Sequence, residues 1–151
     1  MAGIDHHTAS VKIRECFSFT ASQAERALQE MKKQPGVRGC VLLSTCNRTE
    51  LYVSAVPGDI SMPALLESIL PAPLAGVSYG QYFCGRTGEE AVRHLFALTA
   101  GFKSRIVGED QILTQVKDAV RRARELYCTD TLLEVLFRQA VTAGKEVRAK
   151  G

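Results

Sequence analysis

The polar segment Ser44-Thr45-Cys46-Asn47-Arg48-Thr49-Glu50 stands between two apolar runs, Val41-Leu42-Leu43 and Leu51-Tyr52-Val53. This arrangement constrains the chain more than any other feature. It predicts strands over Val37–Ser44 and Glu50–Val56, joined by the turn Thr45–Thr49. The second run alternates, with Leu51, Val53 and Ala55 set against Tyr52 and Ser54, which is strand period. A cysteine in that turn is presented by the backbone and not packed away. Arg48, two residues on, can hold negative charge near it. The thiolate is the reactive form of cysteine and is favoured by neighbouring cations, so Cys46 is a candidate nucleophile. The competing reading is an inert, buried thiol, because cysteine is among the most buried residue types.

The rest of the chain supplies helices around these strands. Gly3-Ile4-Asp5-His6 reads as a short first strand. Thr20-Ala21-Ser22-Gln23 has capping-box spacing, and Ala24, Ala27, Leu28 and Met31 then fall on one helical face until Pro35-Gly36. Ser61 can cap a short helix through Leu70, and Gln81–Cys84 reads as a fourth strand. Beyond Gly85 the pattern is helical throughout. Thr87-Gly88-Glu89-Glu90 is a second capping box, leading to about Ala100. Ile112, Val116, Ala119, Val120 and Ala123 stripe one helix. Leu133, Leu136, Phe137, Ala140 and Val141 stripe another that opens at Thr131. Strands alternating with helices, then helices alone, imply an α+β sheet unit with a helical flank.

Composition excludes several classes. The five cysteines are odd in number, and none are spaced C-x-x-C. Neither a disulfide framework nor a zinc knuckle is indicated, no metal is assigned, and a reducing cytoplasm fits. The uncharged run from Ser68 to Gly85 is interrupted by Pro71, Pro73, Gly76 and Gly80, which argues against a membrane span. No secretory signal is visible at the N-terminus. The formal net charge of +3 permits an anionic partner without requiring one. There is no G-x-G-x-x-G and no G-x-x-x-x-G-K-[ST], so the chain shows no dinucleotide or phosphate-binding loop of its own.

Other residues could join Cys46. Arg48 could clamp a carboxylate through two parallel N–H bonds, or be a solvated turn arginine. Glu50 could orient Arg48 or simply begin the strand. His94, beside Leu95-Phe96, is the best-placed general acid or base, because imidazole titrates near neutral pH; a hydrogen-bonded core histidine is the other reading. Gln111 and Gln115 are four residues apart on one helix face, where they could line a polar pocket. Glu109 and Asp110 suit a helix start. Cys16, Cys40, Cys84 and Cys128 read as packing residues.

Taken together, these segments resemble the N-terminal catalytic domain of the glutamyl-tRNA reductase family. The resemblance rests on Gly3-Ile4-Asp5-His6-His7-Thr8-Ala9, on Ser44–Glu50, and on His94-Leu95-Phe96 followed by Gly108-Glu109-Asp110-Gln111-Ile112-Leu113 and Gln115-Val116-Lys117. Three motifs in the right order carry it further than any one. It implies a ferredoxin-like antiparallel sheet, β-α-β-β-α-β, followed by a helical flank. Residues 1–130 would be the catalytic domain and 131–151 the beginning of a long connecting helix. It implies that Cys46 attacks the ester of glutamyl-tRNA to form a thioester, which NADPH reduces to glutamate-1-semialdehyde, a tetrapyrrole precursor. Thr45, Asn47 and Arg48 would hold the glutamyl group, with Ser104, Glu109, Asp110, Gln111 and Gln115 at the other substrate positions. His94 matches a histidine tied to activity, as acid, base or positioning group.

The family continues with an NADPH domain and a dimerisation domain, which these 151 residues do not include. The expected partners are glutamyl-tRNA, a second subunit through that absent domain, and glutamate-1-semialdehyde aminomutase. The expected chemistry of this region is therefore the acyl-transfer half-reaction. There are departures. His7 and Ser10 stand where the family often has lysine and proline, and Lys103 and Arg105 where it often has an acid and an apolar residue. These extra charges suit a phosphate backbone. The alternative is a non-enzymatic RNA-binding module on the same scaffold, although its sheet-aromatic motif is missing here.

Overall fold

The computed structural model describes residues 1–4, 18–56, 58, 61, 62, 65, 69, 84–102 and 111–150. Its elements are β1 (Ala2–Ile4), α1 (Ala21–Lys32), β2 (Val37–Ser44), β3 (Thr49–Ala55), β4 (Cys84–Gly85), α2 (Gly88–Thr99), α3 (Ile112–Glu125) and α4 (Thr131–Lys150). Between β3 and β4, Met62, Leu65 and Ile69 are helical, and Leu65 and Ile69 are buried. The sheet order is β2-β3-β1-β4, with every neighbouring pair antiparallel. β1 and β2 are thus parallel, with β3 between them. This is the ferredoxin-like order.

Both faces of the sheet are covered. Val41 lies opposite Tyr52, and Leu43 opposite Glu50. Directly opposed residues share a face, and alternate residues along a strand return to it. Tyr52 meets Phe137 of α4 edge-on, with ring centroids 5.3 Å apart, so this face lies beneath the helical flank. Cys40 and Leu42 point the other way. The Cys40 thiol reaches the Leu28 carbonyl of α1 at 3.6 Å. α3 packs against β2 and α4 through the stripe Ile112, Val116, Ala119, Val120 and Ala123, all buried. The exposed edge of β2 is closed by the α3–α4 connection, where the Cys40 N–H donates to the Cys128 carbonyl at 2.8 Å.

The expected strand over Val37–Ser44 forms with those bounds, and β3 begins one residue earlier than expected, at Thr49. The Thr20 capping box forms in full, with the Thr20 hydroxyl and the Gln23 side chain each accepting from the other's backbone. The Thr87 box does not. Thr87 is the N-cap of α2, but its side chain makes no cap hydrogen bond. Gly88, the first helical residue, takes φ 53°. That left-handed start fails to bring the third N–H under the hydroxyl. Glu89 and Glu90 still sit in the first turn, where the helix dipole favours them. α4 opens on Asp130, whose Oδ1 accepts from the Leu133 N–H at 2.9 Å while Oδ2 accepts from the Ser54 hydroxyl at 2.6 Å.

α2 and α4 cross closely. A Cβ on Gly144 would lie 2.9 Å from the Thr99 carbonyl oxygen. Arg148, one turn further along α4, donates through Nη1 to that same carbonyl at the end of α2. Among the described residues, no helix is long and apolar enough to cross a membrane.

Candidate active site

The turn between β2 and β3 is closed by its own threonine. The Thr45 N–H donates to the Arg48 carbonyl at 2.8 Å. The Thr45 hydroxyl accepts from the Asn47 and Arg48 N–H groups, each at 3.2 Å. A hydroxyl that accepts from N–H groups two and three residues on is a local turn motif that fixes the backbone without a strand partner. At the base of the turn, the Ser44 and Thr49 hydroxyls lie 3.4 Å apart, and Ser44 also accepts from the Phe19 N–H at 3.1 Å. Cys46, at the tip, is a free and exposed thiol. Cys40 and Cys128 are free but buried. Burial pushes the Cys40 thiol up to about 12, helped by the neighbouring Cys128, and burial also raises Cys128. Of these thiols, the turn cysteine is the one that both solvent and a substrate can reach.

Arg48 differs from the solvated turn arginine that the sequence allowed. It is 1% exposed, and its Nη1 donates to Glu50 Oε2 at 3.1 Å. Glu50 is equally buried and collects two further donors. His94 Nε2 lies 2.8 Å from Oε2, and the Tyr52 hydroxyl donates to Oε1 at 2.6 Å. Arg48, Glu50 and Tyr52 recur at every second residue of one chain segment, so all three point toward the helical flank. α2 then brings His94 to them from 44 residues away. Room for the carboxylate comes from Gly3, which lies opposite Glu50. A Cβ on Gly3 would lie 2.9 Å from Glu50 Cγ.

The electrostatics of this cluster favour an ionised carboxylate. Burial alone would push the Glu50 carboxyl up, but the His94 and Tyr52 hydrogen bonds and the Arg48 charge outweigh it and hold it below its ordinary value. Tyr52 is driven well above the usual phenol range by burial and by the adjacent Glu50 charge, so it stays protonated and donates. An ionised Glu50 can only accept, which assigns the shared proton to His94 Nε2. His94 Nδ1 is buried and has no hydrogen-bond partner among the described residues.

The structure unites only part of the expected constellation. Thr45, Cys46, Asn47 and Arg48 share the turn, and His94 joins them through Glu50. Gln115 reaches the base of the same turn. With Ser44, Leu42, Leu43, Asp118, Ala119 and Arg122 it lines a cavity of about 150 Å³. Gln111 does not line that cavity; it is the N-cap of α3 and is exposed. Ser104, Glu109 and Asp110 lie outside the described residues, as do His6, His7 and Cys16. Glu50, which the sequence offered as a group that could orient Arg48, does pair with it; Tyr52 is a partner that the sequence reading did not include. The signal for both was the recurrence of polar groups on a strand face that the register buries. A larger apolar cavity of about 650 Å³ lies toward the far end of β3, lined by Tyr52 to Val56, Ala91, Leu133 and Leu136 among others. It includes none of the expected site residues.

Residues 2–151 match the family described as glutamyl-tRNAGlu reductase, N-terminal domain. A glutamyl-tRNA reductase of Acetivibrio thermocellus is 45% identical over 151 residues, a match that covers 98% of this chain and 44% of the relative. The corresponding protein of Pelotomaculum thermopropionicum is 40% identical, with 99% of this chain and 34% of the relative covered. The solved structure of glutamyl-tRNA reductase from Methanopyrus kandleri superposes with a TM-score of 0.79 at 34% identity, over 99% of this chain and 34% of that one. The chain thus spans well under half the length of these relatives, and it belongs to the glutamyl-tRNA reductase family, of which it is the N-terminal domain.

Proposed function

We propose that this domain performs the acyl-transfer half-reaction of a glutamyl-tRNA reductase. The Cys46 thiolate attacks the ester carbonyl of glutamyl-tRNA. A carbon–sulfur bond forms, the ester carbon–oxygen bond breaks, and the 3′-terminal oxygen of the tRNA leaves as a hydroxyl, taking up from solvent the proton that the Cys46 thiol released on ionising. The glutamyl thioester that remains accepts hydride more readily than the parent ester, which is the gain from covalent catalysis. The observation that supports this reading most directly is the exposure of Cys46 on a threonine-closed turn, in a family named for this substrate.

Arg48 is the proposed partner of the glutamyl side-chain carboxylate; its guanidinium is buried against Glu50, so the substrate must displace its cover to reach it. Thr45 and Asn47 frame the same turn, and Gln115 approaches it from α3. Gln111, Ser104, Glu109 and Asp110 complete the proposed substrate set. His94 serves as a positioning group in this scheme. Its Nε2 proton is committed to Glu50, and any proton exchange would pass through Nδ1.

NADPH supplies the hydride in the complete reaction. The residues described here do not fit that cofactor. Their sheet is antiparallel, and they contain no strand–glycine-rich turn–helix unit of the kind that cradles a dinucleotide. In this proposal, hydride delivery falls to the part of the relatives that this chain does not span.

The test is an acid-quenched incubation with glutamyl-tRNA labelled in the amino acid, run on the native chain and on Cys46→Ser. Hydroxylamine-labile label on the native protein alone is the expected result. Label retained by Cys46→Ser would overturn the assignment of the nucleophile.

A further inference from the structure

We propose that Tyr52 is a positioning residue of this site: braced by Phe137 of α4, it holds the Glu50 carboxylate in the one rotation that lets a single oxygen serve both Arg48 and His94. The proposal deepens the acyl-transfer reading and rests on it for its catalytic consequence.

A carboxylate turns easily about its last bond, because that torsion is broad and roughly two-fold. Four contacts fix it here. Gly3 sets the path of the Glu50 stem. Oε2 receives Arg48 and His94, and Oε1 receives the Tyr52 hydroxyl at 2.6 Å. Among the described residues, only the last contact holds the oxygen that faces away from the other two partners, so it blocks rotation. The Tyr52 ring is itself held by the edge-on Phe137 ring, at an interplanar angle of 86°. α4 therefore braces the network through Phe137. It also fixes α2, which carries His94, through the Gly144–Thr99 contact and Arg148. A displacement of α4 would reach both sides of the Glu50 carboxylate at once.

Among the described residues, the charged and titratable groups around Glu50 are Arg48 and Tyr52 from its own segment, His94 from α2, Arg86 following β4, and the Met1 amino group. The phenol proton is retained well into alkaline conditions, so the brace operates throughout the neutral range.

Tyr52→Phe removes the hydroxyl and keeps the ring, so the fold should survive. Two readouts decide the matter. The first is the titration of the Glu50 carboxyl carbon by NMR, which needs no activity. Its midpoint should move up, because a donor to the charged form is lost. The second is the single-turnover rate of Cys46 acylation, which should fall on the order of 10-fold, with tRNA affinity unchanged and the acid limb of the pH profile moved up. Phe137→Leu, which keeps the hydroxyl but loosens the ring, should fall between Tyr52→Phe and the native protein. An unmoved Glu50 midpoint overturns the positioning role whatever the activity. A moved midpoint with unchanged acylation overturns its catalytic consequence. A native protein that forms no adduct defeats the acyl-transfer reading instead, while the NMR titration still decides whether Tyr52 holds Glu50.

Discussion

His94 Nε2 lies 2.8 Å from Glu50 Oε2, although 44 residues separate them and neither is more than 4% exposed. Arg48 shares that oxygen at 3.1 Å. One buried carboxylate thus joins a strand, a helix and the base of the cysteine turn. Its replacement should be costly. Glu50→Gln keeps the volume but removes the carboxylate charge that faces both Arg48 and His94 in the interior. Breaking a buried pair from one side costs about 3 kcal/mol or more. Urea denaturation of the variant against the native protein measures this directly. A loss under 1 kcal/mol would mean that water reaches the cluster.

The same carboxylate sets an acid limit on stability. The folded Glu50 carboxyl is held below its ordinary value of 4.5. Above that value both folded and unfolded chains carry the charge, and the stabilisation is complete. As pH falls below it, the unfolded chain takes up the proton first, so unfolding becomes favoured. The contribution is gone once the folded carboxyl is also protonated. Stability should therefore decline from about pH 4.5 downward, and Glu50→Gln should flatten that part of the profile. Thermal unfolding midpoints of both proteins from pH 7 to pH 3 provide the check.

Local signals were legible where local physics decides. β2 and the buried stripe of α3 follow from periodicity. The Thr20 cap follows from spacing, because its partners lie within one turn. The Thr87 cap misled because Gly88 adopts a positive φ, which residue identity permits but does not dictate. Cys46 was legible as a turn thiol. The burial of Arg48 was not, since it depends on Glu50, Gly3 and His94 arriving from three other elements. Two charged residues beside a turn look solvated until the sheet register shows that their face lies under α4.

Thiol accessibility separates the cysteines. Cys46 is exposed, whereas Cys40 and Cys128 are buried and shifted upward by that burial. Iodoacetamide under native conditions should modify Cys46 first and leave Cys40 and Cys128 unmodified until the protein unfolds. Peptide mass spectrometry over a time course reads the order. Rapid native labelling of Cys40 would show that the α3–α4 connection opens away from the β2 edge.

The crossing of α2 and α4 depends on the absence of a side chain at Gly144. In an ordinary helix interior, glycine to alanine gains roughly 0.5–1 kcal/mol. Here the added methyl would meet the Thr99 carbonyl oxygen at 2.9 Å and Thr99 Cγ2 at 3.0 Å. Overpacking of this kind costs about 1–3 kcal/mol, which exceeds the gain. Gly144→Ala should therefore destabilise by about 1 kcal/mol in chemical denaturation, and it should weaken the Arg148 contact with the end of α2.

The end of α3 offers the opposite opportunity. The Cys128 N–H donates to the Ala123 carbonyl at 2.8 Å, and the Tyr127 N–H to the Arg124 carbonyl at 3.0 Å. These two bonds form a Schellman motif, with Tyr127 at the position that glycine normally takes. Tyr127 has φ 59° and is 88% exposed, so little packing offsets the left-handed backbone. A side chain in that conformation costs roughly 1–2 kcal/mol, part of which glycine returns as unfolded-state entropy. Tyr127→Gly should therefore raise stability by about 0.5–1 kcal/mol. Tyr127→Ala should gain nothing comparable, because its Cβ keeps the strain. Denaturation midpoints of the two variants side by side separate relief of backbone strain from simple removal of an exposed aromatic ring. Equal gains for both would assign the effect to the ring.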